Sequence, residues 1–205
     1  MTPPRLICII GAESTGKTTL ACMLAAHFDS PWVPEYLREF CEMHGRTPMR
    51  DEQAQIIETQ QQSVQAAQLL ATEQGAPFVF CDTAPLLTAV YSDFVFDDAS
   101  LYVRARSLHA HYALTLLLAP DIAWVADGLQ RDGEQVRAPV TQMLIRELAA
   151  LTQPVATVTG QGSARLHAAV EAVNAITPIL SSLPPQLSSL PPQLSSLPPQ
   201  LSSRA

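Results

Sequence analysis

The segment Gly11-Ala-Glu-Ser-Thr-Gly16-Lys17-Thr18 constrains this chain more than any other. It has the form G-x-x-x-x-G-K-[ST] and follows the fully apolar run Leu6-Ile-Cys-Ile-Ile10. A stretch with Leu20, Met23 and Leu24 at helical spacing comes after it. A buried strand, a glycine-rich turn and a helix in that order make a phosphate-binding loop. The glycines let the backbone curl, so that N–H groups of Ala12, Glu13, Ser14, Thr15, Gly16 and Lys17 point at phosphate oxygens. The helix opening at Gly16 adds its positive end. Lys17 reaches the β- and γ-phosphates, and Thr18 offers its hydroxyl to Mg²⁺, with Thr19 closing the segment. Residues 11–19 are therefore the expected binding site of a nucleoside triphosphate, with ATP and Mg²⁺ as cofactors.

Short apolar runs alternate with longer amphipathic stretches along the rest of the chain. Strands are predicted at 6–10, 32–33, 78–81, 114–118 and 155–158. Helices are predicted at 17–28, 35–43, 51–73, 85–91, 99–110, 136–151 and 163–176. Such alternation predicts an α/β fold, the P-loop NTPase three-layer sandwich, with a five-stranded parallel sheet flanked by helices. Ligands of a sheet like this bind at the carboxyl ends of its strands.

The predicted folded domain is 1–180. Beyond it, the unit SSLPPQL occurs three times between Ser181 and Leu201, and the chain ends in Ser-Ser-Arg-Ala205. Its leucines mimic a heptad spacing, but each unit carries Pro-Pro, and a proline inside a helix costs about 3 kcal/mol. A disordered, partly polyproline-II tail is expected at 181–205. Within the chain, 47% apolar residues supply enough material for a core. The net charge of −7, with no run of Lys and Arg, argues against a nucleic-acid partner. No stretch approaches the ~20 apolar residues of a membrane span, and no signal peptide is visible, so no membrane insertion and a cytoplasmic location are expected. Cys8, Cys22, Cys41 and Cys81 form no C-x-x-C pair and read as buried free thiols. His109 and His111 read as structural rather than as metal ligands. Homo-oligomerisation is left open.

Other candidate residues follow from the strand ends. Asp82 closes the apolar run Phe78–Cys81 and can hold Mg²⁺ together with Thr18. The second strand runs into Pro34-Glu35-Tyr36-Leu37-Arg38, which brings Glu35 to the same rim as Lys17 and Asp82. A carboxylate there can orient an acceptor hydroxyl and take its proton, and Arg38 lies one helical turn on. The bland alternative is a surface ion pair between Glu35 and Arg38. After the fourth strand, Trp124, Asp127, Arg131 and Arg137 stand in a glycine-containing stretch with little apolar periodicity. This is the pattern of a lid that lends arginine charge to a moving phosphoryl group, and Arg131 and Arg137 are equal candidates. A solvated loop with arginines paired to Asp132 and Glu134 is the alternative.

Taken together, GAESTGKT at 11–18, PEYLREF at 34–40, CDT at 81–83 and WVADGL at 124–129 resemble the ribosylnicotinamide kinase domain of NadR-type NAD-salvage proteins. The similarity covers about residues 5–175. It implies transfer of the ATP γ-phosphate to the 5′-hydroxyl of nicotinamide riboside, giving the mononucleotide. It also implies catalytic roles for Lys17, Glu35, Asp82 and an arginine at 131 or 137. Glu35, Tyr36, Arg38, Trp124 and Asp127 would then position the small-molecule nucleoside. Three positions depart from the family pattern. Pro34 stands where an aromatic precedes the glutamate, Ala84 follows Asp82-Thr83 where a second Asp is common, and Ala126 replaces an Asp. These departures bear on the acceptor, not the phosphate loop. Trp32 and Tyr36 are candidates for the missing ring. No adenylyltransferase or DNA-binding domain is expected ahead of a first strand that begins near residue 5. The alternatives are a kinase for another nucleoside or small hydroxyl metabolite, and an ATP-binding regulatory switch.

Overall fold

The computed structural model describes residues 3–125 and 133–176. Its strands are β1 (Arg5–Ile10), β2 (Trp32–Val33), β3 (Phe78–Asp82), β4 (Tyr112–Leu118) and β5 (Val155–Val158). Its α-helices are α1 (Lys17–His27), α2 (Tyr36–His44), α3 (Gln53–Gln74), α4 (Pro85–Phe96), α5 (Tyr102–His109), α6 (Arg137–Ala149) and α7 (Gly162–Ala175). The strands form one sheet in the order β2-β3-β1-β4-β5, and every pairing is parallel. The expected three-layer P-loop architecture is present.

Strand periodicity explains the layers. Ile7 and Ile9 point to one face, where α1 and α7 cover them with Leu20, Leu24, Ala169 and Val173. Leu6, Cys8 and Ile10 point to the other, packed with Val64 of α3, Leu86 and Val90 of α4, Ala105 of α5, and Val140 and Leu144 of α6. Because both faces are covered, β1 can be apolar throughout, and Ile7, Cys8, Ile9 and Ile10 are fully buried.

β1 lies between β3 and β4, so the chain leaves it toward β2 and β3 on one side and toward β4 and β5 on the other. Its carboxyl end is the point where strand order reverses and where a crevice opens. The loop 11–16 stands there.

Element ends differ from the sequence expectation in places. β4 begins at Tyr112, whose buried ring lies opposite Leu6 in the register. α4 continues past Tyr91 to Phe96 and stops at Asp97, which adopts the left-handed conformation (φ 53°). The predicted helix 99–110 is a 3-10 turn (Ala99–Leu101) followed by α5, started by the Asp98 carboxylate accepting from the Ser100 N–H at 3.0 Å. The cysteines are free, but Cys22 on α1 is exposed, a correction to the reading of four buried thiols. His109 is buried with Nε2 at 2.8 Å from Thr115 Oγ1, a structural contact. No described helix is long and apolar enough to cross a membrane. Asp127, Arg131 and the 181–205 repeat lie outside the described residues.

Candidate active site

The phosphate loop forms by local necessity. A Cβ on Gly11 would meet Thr15 Oγ1 at 2.9 Å and the Leu118 carbonyl at 3.0 Å, so only glycine lets the loop turn this close to β4. Gly16 sits at φ 80°, a conformation glycine adopts without strain, and α1 begins at Lys17. The Thr15 hydroxyl donates to the Ala12 carbonyl at 2.8 Å and braces the curl. Lys17 Nζ donates to the same carbonyl at 3.2 Å, which folds its side chain back across the loop. The ammonium is thereby held over the concavity where phosphate oxygens would bind.

Asp82 ends β3 beside this loop and is 1% exposed. The Thr18 hydroxyl donates to Asp82 Oδ2 at 2.6 Å, while Oδ1 is buried and accepts no hydrogen bond. Burial pushes the Asp82 carboxyl up to about 6, and the neighbouring Glu35 carboxylate adds to the rise. Lys17, the Thr18 hydroxyl and Arg38 oppose it. A buried acid with one open oxygen and a hydroxyl beside it fits a divalent cation, which would supply the missing partner and stabilise the charge. The described residues contain no cluster of three or more metal-ligating His, Cys, Asp or Glu. Mg²⁺ is the ion that suits this sparse donor set, since it retains waters and takes few protein ligands.

Glu35 stands at the start of α2, in extended conformation, with Oε1 accepting from the Thr83 hydroxyl at 3.3 Å. Thr83 itself sits at φ 80°, strained for a β-branched residue, and its N–H donates to the Ile9 carbonyl at 2.9 Å. The backbone on both sides of Glu35 is held by one side chain. Gln60 of α3 donates from Nε2 to the Pro34 carbonyl at 3.1 Å and accepts from the Tyr36 N–H at 2.7 Å. Gln60 is 3% exposed, and its amide is satisfied at both ends.

Next to Lys17 a cleft of about 130 Å³ opens, lined by Glu13, Ser14, Lys17, Glu35 and Arg38 at its charged end. Leu87, Tyr91 and Val95, at i, i+4 and i+8 of α4, form one wall, with Leu37, Pro48 and Gln53 on the side of α2 and α3. The structure thus brings Lys17, Thr18, Glu35, Arg38 and Asp82 together. It places Tyr36 half-buried outside the lining of this cleft, with Leu37 lining it instead. Trp124 is likewise half-buried and not part of the lining. Arg137, at the start of α6, is buried and donates from both terminal nitrogens to the Ile122 carbonyl at 3.1 Å. It holds the segment ahead of residue 126 in place.

On the other side of the loop a second polar constellation was not foreseen. Arg165 of α7 is 5% exposed and donates to the Gly160 carbonyl at 2.7 Å, to the Ala119 carbonyl at 3.2 Å, and to the Thr15 carbonyl. It also pairs with Asp121, whose other oxygen accepts from the Gly160 N–H at 2.7 Å. Val125 N–H donates to Ser14 Oγ at 2.9 Å, a further tie from this side to the loop. Gly16, Thr19, Leu20, Met23, Ile122 and Arg165 line a groove here. Gln53 and Gln60 were also missed. The signal available was a pair of glutamines seven apart on the apolar face of α3, in register with Ile56, Ile57 and Val64.

A family model described as AAA domain matches residues 6–165, from β1 to Arg165 itself. The chain belongs to the AAA domain family. Among curated proteins it is similar to the trifunctional NAD biosynthesis/regulator protein NadR of Salmonella typhimurium, at 29% identity over 147 residues. The alignment covers 70% of this chain and 35% of that protein, so the chain spans about a third of the relative's length. The Escherichia coli NadR matches with the same identity and coverage. A crystal structure of a NadR protein in complex with NR superposes with a TM-score of 0.70 at 28% identity, covering 85% of this chain and 52% of that one. A NadR structure in complex with NAD and AMP-PNP gives a TM-score of 0.70 at 26% identity, covering 85% of this chain and 50% of the other. Thymidylate kinase from Ehrlichia chaffeensis shares the fold, with a TM-score of 0.59 at 14% identity over 86% of this chain and all of its own. The resemblance to a NadR-type P-loop kinase domain is borne out.

Proposed function

We propose that this chain is an ATP-dependent nucleoside kinase that phosphorylates nicotinamide riboside on its 5′-hydroxyl, giving nicotinamide mononucleotide. The observation that carries this reading is the convergence of Glu35 and Asp82 beside Lys17, at the mouth of a cleft with an apolar far wall. The similarity to NadR proteins solved with NR and with AMP-PNP supports both the acceptor and the donor.

The roles divide by position. Backbone N–H groups of 12–17 and the Lys17 ammonium bind the triphosphate of ATP. Thr18 and Asp82 would hold Mg²⁺, which when bound neutralises phosphate charge. Glu35, braced by Gln60 and Thr83, orients the 5′-hydroxyl and receives its proton. Arg38 lines the same cleft and positions the substrate, a role proposed also for Tyr36, Trp124 and Asp127. Arg137 is committed to the Ile122 carbonyl, so the arginine that neutralises the moving phosphoryl group is assigned to Arg131. The transition state of such transfers is loose, so electrostatic clamping outweighs base catalysis.

A nucleoside panel tests the proposal. The protein is incubated with Mg·ATP and one nucleoside at a time, and ADP is measured. ADP release that requires nicotinamide riboside supports it. Slow ADP release independent of any additive would identify an ATP-driven switch instead, and dependence on another nucleoside would reassign the acceptor.

A further inference from the structure

Gln53 is the one cleft-lining polar residue on α3 that the phosphate chemistry does not use. It is 6% exposed, and its Nε2 donates to the Pro48 carbonyl at 3.2 Å. That bond fixes the plane of the amide and decides which end is oxygen. The residue lines the cleft, and its bond to Pro48 engages Nε2, not Oε1. A glutamine amide has two N–H donors and an acceptor oxygen, so one N–H and Oε1 remain for a ligand. Within the cleft these groups can be met by something of matching polarity.

Spacing says what that something is. Gln60 grips the backbone around Glu35, and Gln53 lies seven residues earlier on the same face of α3, about 10 Å along its axis. Glu35, whose flanking backbone Gln60 holds, and Gln53 both line the cleft, so one ligand can meet both. The wall of the cleft along α4 is largely apolar, with Leu87, Tyr91 and Val95. We propose that Gln53 reads the edge of the acceptor's ring and selects a primary carboxamide, one N–H meeting the carboxamide oxygen and Oε1 meeting its NH₂. A carboxylate in the same place would satisfy the N–H but set a second oxygen against Oε1. A bare ring would leave both unpaired. The inference deepens the kinase reading and rests on it.

Calorimetry on the full chain, loaded with AMP-PNP and Mg²⁺, tests it with three ligands that differ only at the ring. These are nicotinamide riboside, nicotinic acid riboside and unsubstituted pyridinium riboside. The wild-type protein is expected to bind the carboxamide at least about 10-fold more tightly than either of the others. In Gln53→Met the three affinities should converge while AMP-PNP affinity stays unchanged. Equal binding of the carboxamide and the bare ring by wild type would overturn the role of Gln53, and needs no variant to fold. A Gln53→Met protein that keeps the wild-type ratio would also overturn it, with the kinase reading intact. If AMP-PNP binds and none of the three ribosides does, the acceptor class is wrong and both readings fall.

Discussion

Two polar constellations, each centred on a buried side chain, flank the phosphate loop, and they are built on opposite principles. On the β4–β5 side, Arg165 has carbonyl or carboxylate partners at Thr15, Ala119, Gly160 and Asp121, and Asp121 is in turn bonded to Gly160 N–H. Its groups are paired, so it fastens the loop to β4 and α7. On the β3–β2 side, Asp82 keeps one oxygen unpaired and its carboxyl is raised to about 6, with Glu35 close enough to contribute. A native fold tolerates such a deficit where a ligand removes it. The paired side is scaffold and the unpaired side is where chemistry is expected.

The largest expected effect breaks the chemical side alone. Lys17→Ala should lower kcat by about 10³-fold or more, whereas Glu35→Gln should lower it by about 10²-fold, since charge stabilisation outweighs proton removal here. Steady-state assays of both variants decide the order. If Glu35→Gln left turnover untouched and Asp82→Asn abolished it with Mg²⁺ still bound, Asp82 would be the base.

The scaffold side should answer in stability instead. Arg165→Met leaves the buried Thr15 carbonyl and the partly buried Ala119 and Gly160 carbonyls without this donor, a loss of about 2–3 kcal/mol. A fall in Tm on the order of 10 °C follows, by differential scanning fluorimetry. An unchanged Tm would contradict the division between the two sides.

Asp82 sharpens the contrast through pH. A carboxyl whose folded pKa lies above its ordinary 3.8 holds its proton more tightly in the native state than in the unfolded one. Its contribution to stability is full below pH 4 and is lost as the pH rises through about 6. Without Mg²⁺ and ATP, Asp82→Asn should therefore be more stable than wild type at pH 7, by on the order of 1–2 kcal/mol, and the two should converge at pH 4. Urea denaturation at the two pH values measures this, and the variant should have lost turnover. The smallest effect is expected at Gln60→Leu. Releasing the backbone around Glu35 should lower kcat about 10-fold with KM for ATP unchanged. A matching rise in KM for ATP would mean that Gln60 supports the fold generally.

Much of this was legible in the chain because it is local. Eight consecutive residues after an apolar strand specify the phosphate loop, and β1 reads as buried because every residue from Leu6 to Ile10 is apolar. Glu35 and Asp82 could be brought to one rim since parallel strands of one sheet end on the same side. The face of α2 was harder. Helical spacing aligned Glu35 with Arg38, but only the packing of α2 beside α3 put Leu37 rather than Tyr36 against the cleft. Glutamine and arginine side chains outside motifs are harder still, because their role is set by the group they meet. Gln60 is unremarkable in sequence until Pro34 and Tyr36 lie against it, and Arg165 acts on a carbonyl 150 residues away. By itself, then, the sequence determined the loop, the sheet class and which acids share a rim, since short-range backbone rules govern these. Which polar side chains are left paired or unpaired was decided by tertiary structure, because a hydrogen bond needs both partners within about 3 Å and no pattern along the chain encodes that distance.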